Sequence, residues 1–278
     1  MVIKAWRDRG DLSLLHALTG IARYWLAYGS ALPSAVAGLA AGLASGSRWT
    51  GINTTATLWG ELASGFTGVR PEVTGEEHLW SSRPCVFLLN HQSACDAFLC
   101  ARLLRRDTFG IAKKEIREKP LAGFVIALMG TVFIDRADPA GAIAALRPAV
   151  EALRGGRSML IAPEGTRSVA GRLGVFKKGG FHVALAARVP IVPIVFHDSW
   201  KRLRPGSGIV RPGIVHVTVF PPIPTKRWKT SDLDQHIAEI RQLYLDTLRK
   251  KGSPTRARRR RRRASRRRAP VDGEGKKP

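Results

Sequence analysis

The sequence predicts an α/β domain built around a largely parallel sheet flanked by helices. Three observations predict it. Short runs rich in β-branched and aromatic residues alternate with helical stretches from about residue 84 onward. Several of those runs are apolar throughout, as strands covered on both faces are. Polar clusters stand directly after them, where open α/β sheets gather ligands beyond the carboxyl ends of their strands.

The elements follow in order. Pro84–Asn90 reads as a buried strand and Ala94–Leu104 as a helix. Leu121–Met129 reads as a second apolar helix, and Thr131–Asp135 as a short strand. Ala140–Arg154 reads as a helix ended by Gly155-Gly156, in which Pro148 predicts a kink or a late start. Ser158–Pro163 is strand-like, Gly179–Arg188 helical, and Ile191–Phe196 and Ile214–Phe220 are strands. Ser231–Lys251 is a long final helix with Ser231 or Thr230 as its cap.

The two ends differ from this body. Between Arg23 and Arg48 the 24 residues Tyr24 to Ser47 carry no charge. That length would span a bilayer. Pro33 sits inside it, so a hairpin of helices over about 12–31 and 34–46, lying in one leaflet, fits as well as a single span. A soluble pair of packed amphipathic helices is the competing expectation. From Pro254 to Pro278 ten Arg and two Lys face only Asp272 and Glu274, so this tail holds +10 of the chain's +25. A block of like charge without apolar partners is expected to stay disordered and to touch anionic lipid or RNA. The expected organisation is therefore membrane-associated helices over 1–50, the α/β domain over 51–252 and a disordered Arg-rich tail over 253–278.

Composition narrows the function classes. A chain of 278 residues with 44% hydrophobic residues and mean hydropathy −0.09 can bury a large core and is not a many-span membrane protein. Three cysteines without a CxxC make neither a disulfide framework nor a cysteine zinc module, and a reducing compartment is expected. Neither HExxH, a Walker loop nor a GxGxxG in its usual context occurs, so metal, ATP and dinucleotide chemistry have no support. His16, His78, His182, His197, His216 and His236 share no ligand spacing. The body contains no nucleic-acid-binding motif, so nucleic acid is not expected as the main partner.

Two clusters carry the chemistry. In Asn90-His91-Gln92-Ser93-Ala94-Cys95-Asp96, His91 lies in the turn after a strand and Asp96 in the first turn of the next helix. On a continuous helix the two would point about 140° apart. With His91 ahead of the cap, the chain can fold back and let Asp96 accept from one imidazole nitrogen, leaving the other as a base. The missing third member of such a relay could be a substrate hydroxyl. Ser93 is the alternative nucleophile, although it reads as the helix cap and lacks a G-x-S-x-G elbow. In Ala162-Pro163-Glu164-Gly165-Thr166-Arg167-Ser168, Gly165 permits a tight turn, Thr166 offers a hydroxyl and Arg167 a fork for phosphate. Phe176-Lys177-Lys178-Gly179-Gly180 adds cations, and Arg136 follows the short strand. The clusters are expected on adjacent strands, converging on one pocket.

Taken together these residues resemble the 1-acylglycerol-3-phosphate (lysophosphatidate) acyltransferase family of glycerolipid acyltransferases. Asn90, His91, Ser93 and Asp96 match its NHxSxxD motif. Gly130, Phe133, Ile134 and Arg136 match GxxFIxR, and Pro163 to Ser168 match PEGTRS, with Ala162 where phenylalanine is usual. Val189-Pro190-Ile191-Val192-Pro193-Ile194 resembles its VPIxPV element. Four motifs in order are specific, and the likeness covers roughly residues 50–250.

The resemblance implies a glycerol-phosphate acyltransferase-like fold. It implies that His91, oriented by Asp96, takes a proton from a lysophospholipid hydroxyl, which attacks the thioester of acyl-CoA or an acyl carrier protein. It assigns Arg136, Glu164, Gly165, Thr166 and Arg167 to the acceptor's phosphate region, with Glu164 orienting Arg167 or a hydroxyl. Asn90, Lys113 and Lys178 are further candidates. No metal and no cofactor beyond the acyl donor is implied, and the site is expected at the cytoplasmic face of the cell membrane. The motifs do not separate lysophosphatidate from glycerol 3-phosphate, another lysophospholipid or a glycolipid. An inactive protein binding anionic membrane or RNA is the reading from another class.

Overall fold

The computed structural model describes residues 14–118, 123, 127, 130–134, 146–168 and 172–252. The helix expected over Leu121–Met129, the Asp135–Arg136 pair and the Arg-rich tail fall essentially outside those residues.

Seven strands form one sheet: β1 (Val69–Thr74), β2 (Val86–Leu89), β3 (Thr108–Lys113), β4 (Val132–Ile134), β5 (Ser158–Ile161), β6 (Ile191–His197) and β7 (Gly213–Val219). Their spatial order is β1-β7-β6-β2-β5-β3-β4. β6, β2, β5, β3 and β4 run parallel, β7 is antiparallel to β6, and β1 is parallel to β7.

The central strands are apolar throughout because both faces are covered. In β6, Val192, Ile194 and Phe196 join one core, and Ile191 and Val195 join the other. β2 divides the same way, with Phe87 and Leu89 on one side and Val86 and Leu88 on the other. β7 buries only Val215, Val217 and Val219, and it alternates as a half-covered strand should.

One face packs on α1 (Leu14–Gly29), α3 (Arg48–Thr67) and α4 (Cys95–Leu104). The other packs on α6 (Arg147–Arg154), α7 (Gly179–Ala187) and α8 (Leu233–Gly252). A one-turn helix α5 (Lys114–Arg117) follows β3. Helix α6 has Pro148 in its first turn, where a missing N–H costs little, and the expected start at Ala140 lies outside the described residues.

The N-terminal arm differs from the expected hairpin. α1 and α2 (Ala31–Ser45) run on from one another with only Ser30 between them, and together form a 32-residue stretch that contains an 18-residue window of mean hydropathy 1.4. Pro33 does not break it, because it falls in the first turn of α2, where a missing N–H is cheap. Backbone bonds from Ser30 to Leu26 and from Ser34 to Ser30 carry the helix past it. The reversal comes at Gly46, left-handed at φ 63°, and at Ser47, whose hydroxyl accepts the Thr50 N–H at 3.3 Å. The return arm is α3, which crosses the domain boundary expected at residue 50.

Glycines allow the close crossings. A Cβ on Gly51 would lie 2.8 Å from the Gly38 carbonyl oxygen, and one on Gly60 would lie 2.7 Å from Arg102 Cα in α4. Helix α3 thus packs backbone to backbone on α2 at one end and on α4 at the other.

Leu14, Leu15, Leu18, Trp25, Leu26, Leu32, Val36, Leu39 and Leu43 project from α1–α2 and are more than half exposed. On α3, Leu58, Leu62 and Phe66, spaced i, i+4, i+8, are also exposed. A contiguous surface of this kind marks an interaction site rather than ordinary scatter.

The Gly60 crossing gives a prediction. Gly60→Ala forces α3 away from α4 and costs about 1–3 kcal/mol, which lowers the calorimetric melting midpoint by roughly 2–12 °C. Gly65→Ala on the same helix, where a Cβ meets nothing within 4 Å, leaves the midpoint unchanged or raises it.

Candidate active site

β2 and β5 are neighbours in register, with Leu88 opposite Ile161. The loops leaving their carboxyl ends therefore meet, and they carry the two sequence clusters. The short strand that precedes Arg136 in the sequence is not adjacent to either of them. β3, absent from the sequence reading, lies between β5 and β4, so β4 forms the sheet edge among the described strands.

The first loop is organised by one carboxylate. Asp96, 1% exposed at the start of α4, turns Oδ2 back toward the loop that precedes it. That oxygen accepts the Gln92 N–H and the Ser93 N–H, each at 2.8 Å, and lies 2.9 Å from His91 Nδ1. The Nδ1–H donates, as the carboxylate acceptor requires, so Nε2 keeps its lone pair. The His91 side chain remains 29% exposed. Such a pair can receive a proton at Nε2 while the buried carboxylate stabilises the resulting imidazolium.

Asn90 and Ser93 hold the loop from behind. Asn90 is fully buried; it accepts the Phe196 N–H at 2.7 Å and donates to the Phe196 carbonyl at 3.0 Å. It extends the β2–β6 pairing with a side chain and does not face the cavity. Ser93 donates its hydroxyl to the Leu203 carbonyl at 2.7 Å and accepts the Cys95 N–H at 3.3 Å, as a cap residue does. Fully buried, it is turned away from the open side of His91.

The second loop is tied to the first. Gly165, at φ 70°, closes a turn by donating its N–H to the Ala162 carbonyl at 3.0 Å. Ser168 donates both its N–H, at 2.7 Å, and its hydroxyl, at 3.1 Å, to the His91 carbonyl. Glu164 is 4% exposed, and its carboxylate accepts the His91 N–H at 3.1 Å and the Gly174 N–H at 2.7 Å. It therefore braces three segments, the two loops and the stretch before Phe176, through these two backbone amides. Burial pushes its carboxyl above the ordinary range, against the two N–H groups that pull it down.

Arg167 and Thr166 are exposed beside His91 at the mouth of a cavity of about 570 Å³. Gly165 and Ala162 line the same mouth. The cavity runs down the length of β3 from Ala112 to Thr108. Helix α3 supplies Ala56 and Trp59 as one wall. Helix α4 supplies Ala97, Cys100, Ala101 and Leu104, an i, i+3, i+4, i+7 face. At its base Asn53 donates to Asp107 Oδ1 at 3.1 Å and accepts the Asp107 N–H at 2.9 Å, holding Asp107 at φ 50°.

The remaining candidates separate from this site. Lys178 pairs with Asp234 at 2.7 Å on the surface and is not among the cavity residues. Lys113 ends β3, and Arg136 lies outside the described residues. Among the described residues no group of three His, Cys, Asp or Glu side chains could hold a metal ion.

An acyltransferase family model matches residues 70–197. A 1-acyl-sn-glycerol-3-phosphate acyltransferase of Limnanthes alba is 36% identical over 196 residues, 69% of this chain and 69% of its own length. One of Saccharomyces cerevisiae is 33% identical over 201 residues, 71% of this chain and 66% of its own. An alpha form of Ovis aries is 34% identical over 183 residues, 66% and 64% of the two chains. The crystal structure of the 1-acyl-sn-glycerophosphate (LPA) acyltransferase PlsC from Thermotoga maritima shares the fold, with a TM-score of 0.71 at 22% identity over 86% of this chain and 98% of that one.

The brace at Glu164 predicts a pH effect. Its native carboxyl titrates above the ordinary 4.5, so between those two values the folded chain holds a proton that the unfolded chain has lost. Stability therefore falls as pH rises through that window. Glu164→Gln removes this slope from melting midpoints measured from pH 4.5 upward. It also lowers the neutral-pH midpoint, because an amide cannot accept from both N–H groups with both of its terminal atoms.

Proposed function

The chain belongs to the 1-acyl-sn-glycerol-3-phosphate acyltransferase family, and on that basis we propose that it transfers a fatty acyl group to lysophosphatidate, giving phosphatidic acid. The observation that carries this reading is the His91–Asp96 pair opening onto an apolar cavity with Arg167 at its mouth.

The steps balance without an acyl-enzyme. His91 Nε2 takes the proton of the acceptor's free hydroxyl as that oxygen attacks the thioester carbonyl carbon. The new C–O bond forms, the C–S bond breaks, and the thiolate leaves with the proton returned from the imidazolium. Asp96 fixes the imidazole and offsets its transient charge. Acyl-CoA and an acyl carrier protein both supply the required thioester, and no metal or further cofactor enters these steps.

Arg167 and Thr166 are the phosphate ligands this reading assigns, with the Gly165 turn letting the acceptor approach the backbone, and Arg136 is the further cation it expects. The cavity suits a fatty chain. Its walls are mostly apolar along the five residues of β3 from Thr108 to Ala112, about 17 Å. Ala162 at the mouth leaves room that phenylalanine would fill, so Ala162→Phe is expected to shift the acceptor profile.

The exposed apolar face of α1–α3 supports docking on a membrane, where both lysolipid and product reside. The chain's net +25 supports contact with an anionic surface. Acyl-CoA is cytosolic, so the cytoplasmic face is the expected side.

The test is acyl transfer from labelled acyl-CoA to 1-acylglycerol 3-phosphate. Wild type makes phosphatidate, and folded His91→Ala loses about 10²–10⁴-fold in kcat. Lysophosphatidate left unacylated by wild type while another lysolipid or glycerol 3-phosphate is consumed would reassign the acceptor. For the membrane, Leu39→Glu with Leu43→Glu is expected to reduce co-sedimentation with anionic vesicles; unchanged binding would contradict docking through α2.

A further inference from the structure

We propose that Tyr28 is a positioning residue for the His91–Asp96 pair, an assignment that rests on the reaction proposed above. Tyr28 stands on α1, 66 residues before the loop that it touches. Its phenol donates to the Ala94 carbonyl at 3.2 Å. Ala94 is the residue between Ser93, whose N–H binds Asp96, and Cys95, where α4 begins. The Ala94 carbonyl also accepts the Ala97 N–H at 3.3 Å, so it is the hinge between the Asp96-binding turn and the helix.

The turn has an anchor on each side of that hinge. Ser93 is held to the Leu203 carbonyl at 2.7 Å, by a segment that follows β6. Ala94 is held by Tyr28 from the opposite direction in the chain. With both in place, the Gln92 and Ser93 N–H groups stay aimed at Asp96 Oδ2, and His91 stays aimed at the cavity. Without the phenol, the Ala94 peptide keeps only two long ties, to the Ala97 N–H and to Ser93 Oγ, each at 3.3 Å, and the turn loosens its aim of both N–H groups.

The phenol itself is firmly placed. Its ring lies 4.7 Å from that of Tyr24 and 6.2 Å from that of Trp59, centroid to centroid. Trp59 donates its indole N–H to the neighbouring Ala27 carbonyl at 3.0 Å. Tyr28 is 8% exposed and is not among the cavity residues, so it acts through the loop and not on the substrate. The same helix carries the exposed Trp25 and Leu26, so the arm that bears the apolar face also fixes the catalytic turn.

The experiment compares wild type, Tyr28→Phe and Tyr24→Phe, full-length and in detergent. Tyr28→Phe keeps the ring and its packing and removes one hydrogen bond. It is expected to lower kcat about five-fold, the rate equivalent of one such bond. KM for lysophosphatidate stays within about two-fold of wild type, because no substrate contact is lost. The proton NMR resonance of His91 Nδ1–H broadens in Tyr28→Phe and is unchanged in Tyr24→Phe, and circular dichroism reports both variants folded. An unchanged kcat with an unchanged resonance, an equal loss in Tyr24→Phe, or a rise in KM alone would overturn the assignment. Should wild type transfer no acyl group, the reaction reading fails and the resonance decides separately: sharp in Tyr28→Phe rejects the positioning role, and broadened upholds it.

Discussion

One carboxylate oxygen organises the catalytic end of this molecule. Asp96 Oδ2 accepts from the Gln92 N–H, the Ser93 N–H and His91 Nδ1 at once, inside a site where its side chain is 1% exposed. A charge buried this deeply is tolerated only with such partners and with the helix N-terminus behind it. The requirement works in reverse as well. Any element that supports the turn holds the carboxylate, and any element that releases it leaves a buried charge without partners.

The rest of the fold is arranged as support. β6 receives Asn90, the segment after β6 receives Ser93, and α1 reaches Ala94. The second loop is laced to the first through Ser168 and Glu164, and Glu164 in turn holds Gly174. Arg241 of α8 donates to the Gly174 carbonyl at 2.9 Å, which closes the ring of contacts on the far face of the sheet. Parallel neighbours in register make this possible, because β2 and β5 deliver both loops to one end. The apolar cavity then follows from small side chains on α4 and from the close passage of α3 at Gly60.

The parts legible in the sequence were those with local causes. The apolar runs at β2, β5 and β6 and the final helix declare themselves by pattern. The fold-back of Asp96 onto His91 was readable from spacing, since it needs only a turn ahead of a helix. What stayed hidden depends on distant partners. β3 is a short Thr-Phe-Gly-Ile-Ala-Lys run whose glycine and lysine weaken the strand pattern, and only its place between β5 and β4 shows its importance. Pro33 looked like a break because its position within a helical turn is not written in the residue itself. Glu164 and Lys178 are charged residues that sequence assigns to a ligand, whereas their partners, two loop amides and Asp234, are 10 to 73 residues away. Tyr28 carries no motif at all.

The most direct measurement is a crystal structure with lysophosphatidate and a non-reactive thioether analogue of the acyl donor. The account predicts the free hydroxyl of the lysolipid within about 3 Å of His91 Nε2, its phosphate against Arg167 and Thr166, and a fatty chain in the cavity along β3. A hydroxyl out of reach of His91, or the donor carbonyl seated against Ser93 Oγ, would contradict it.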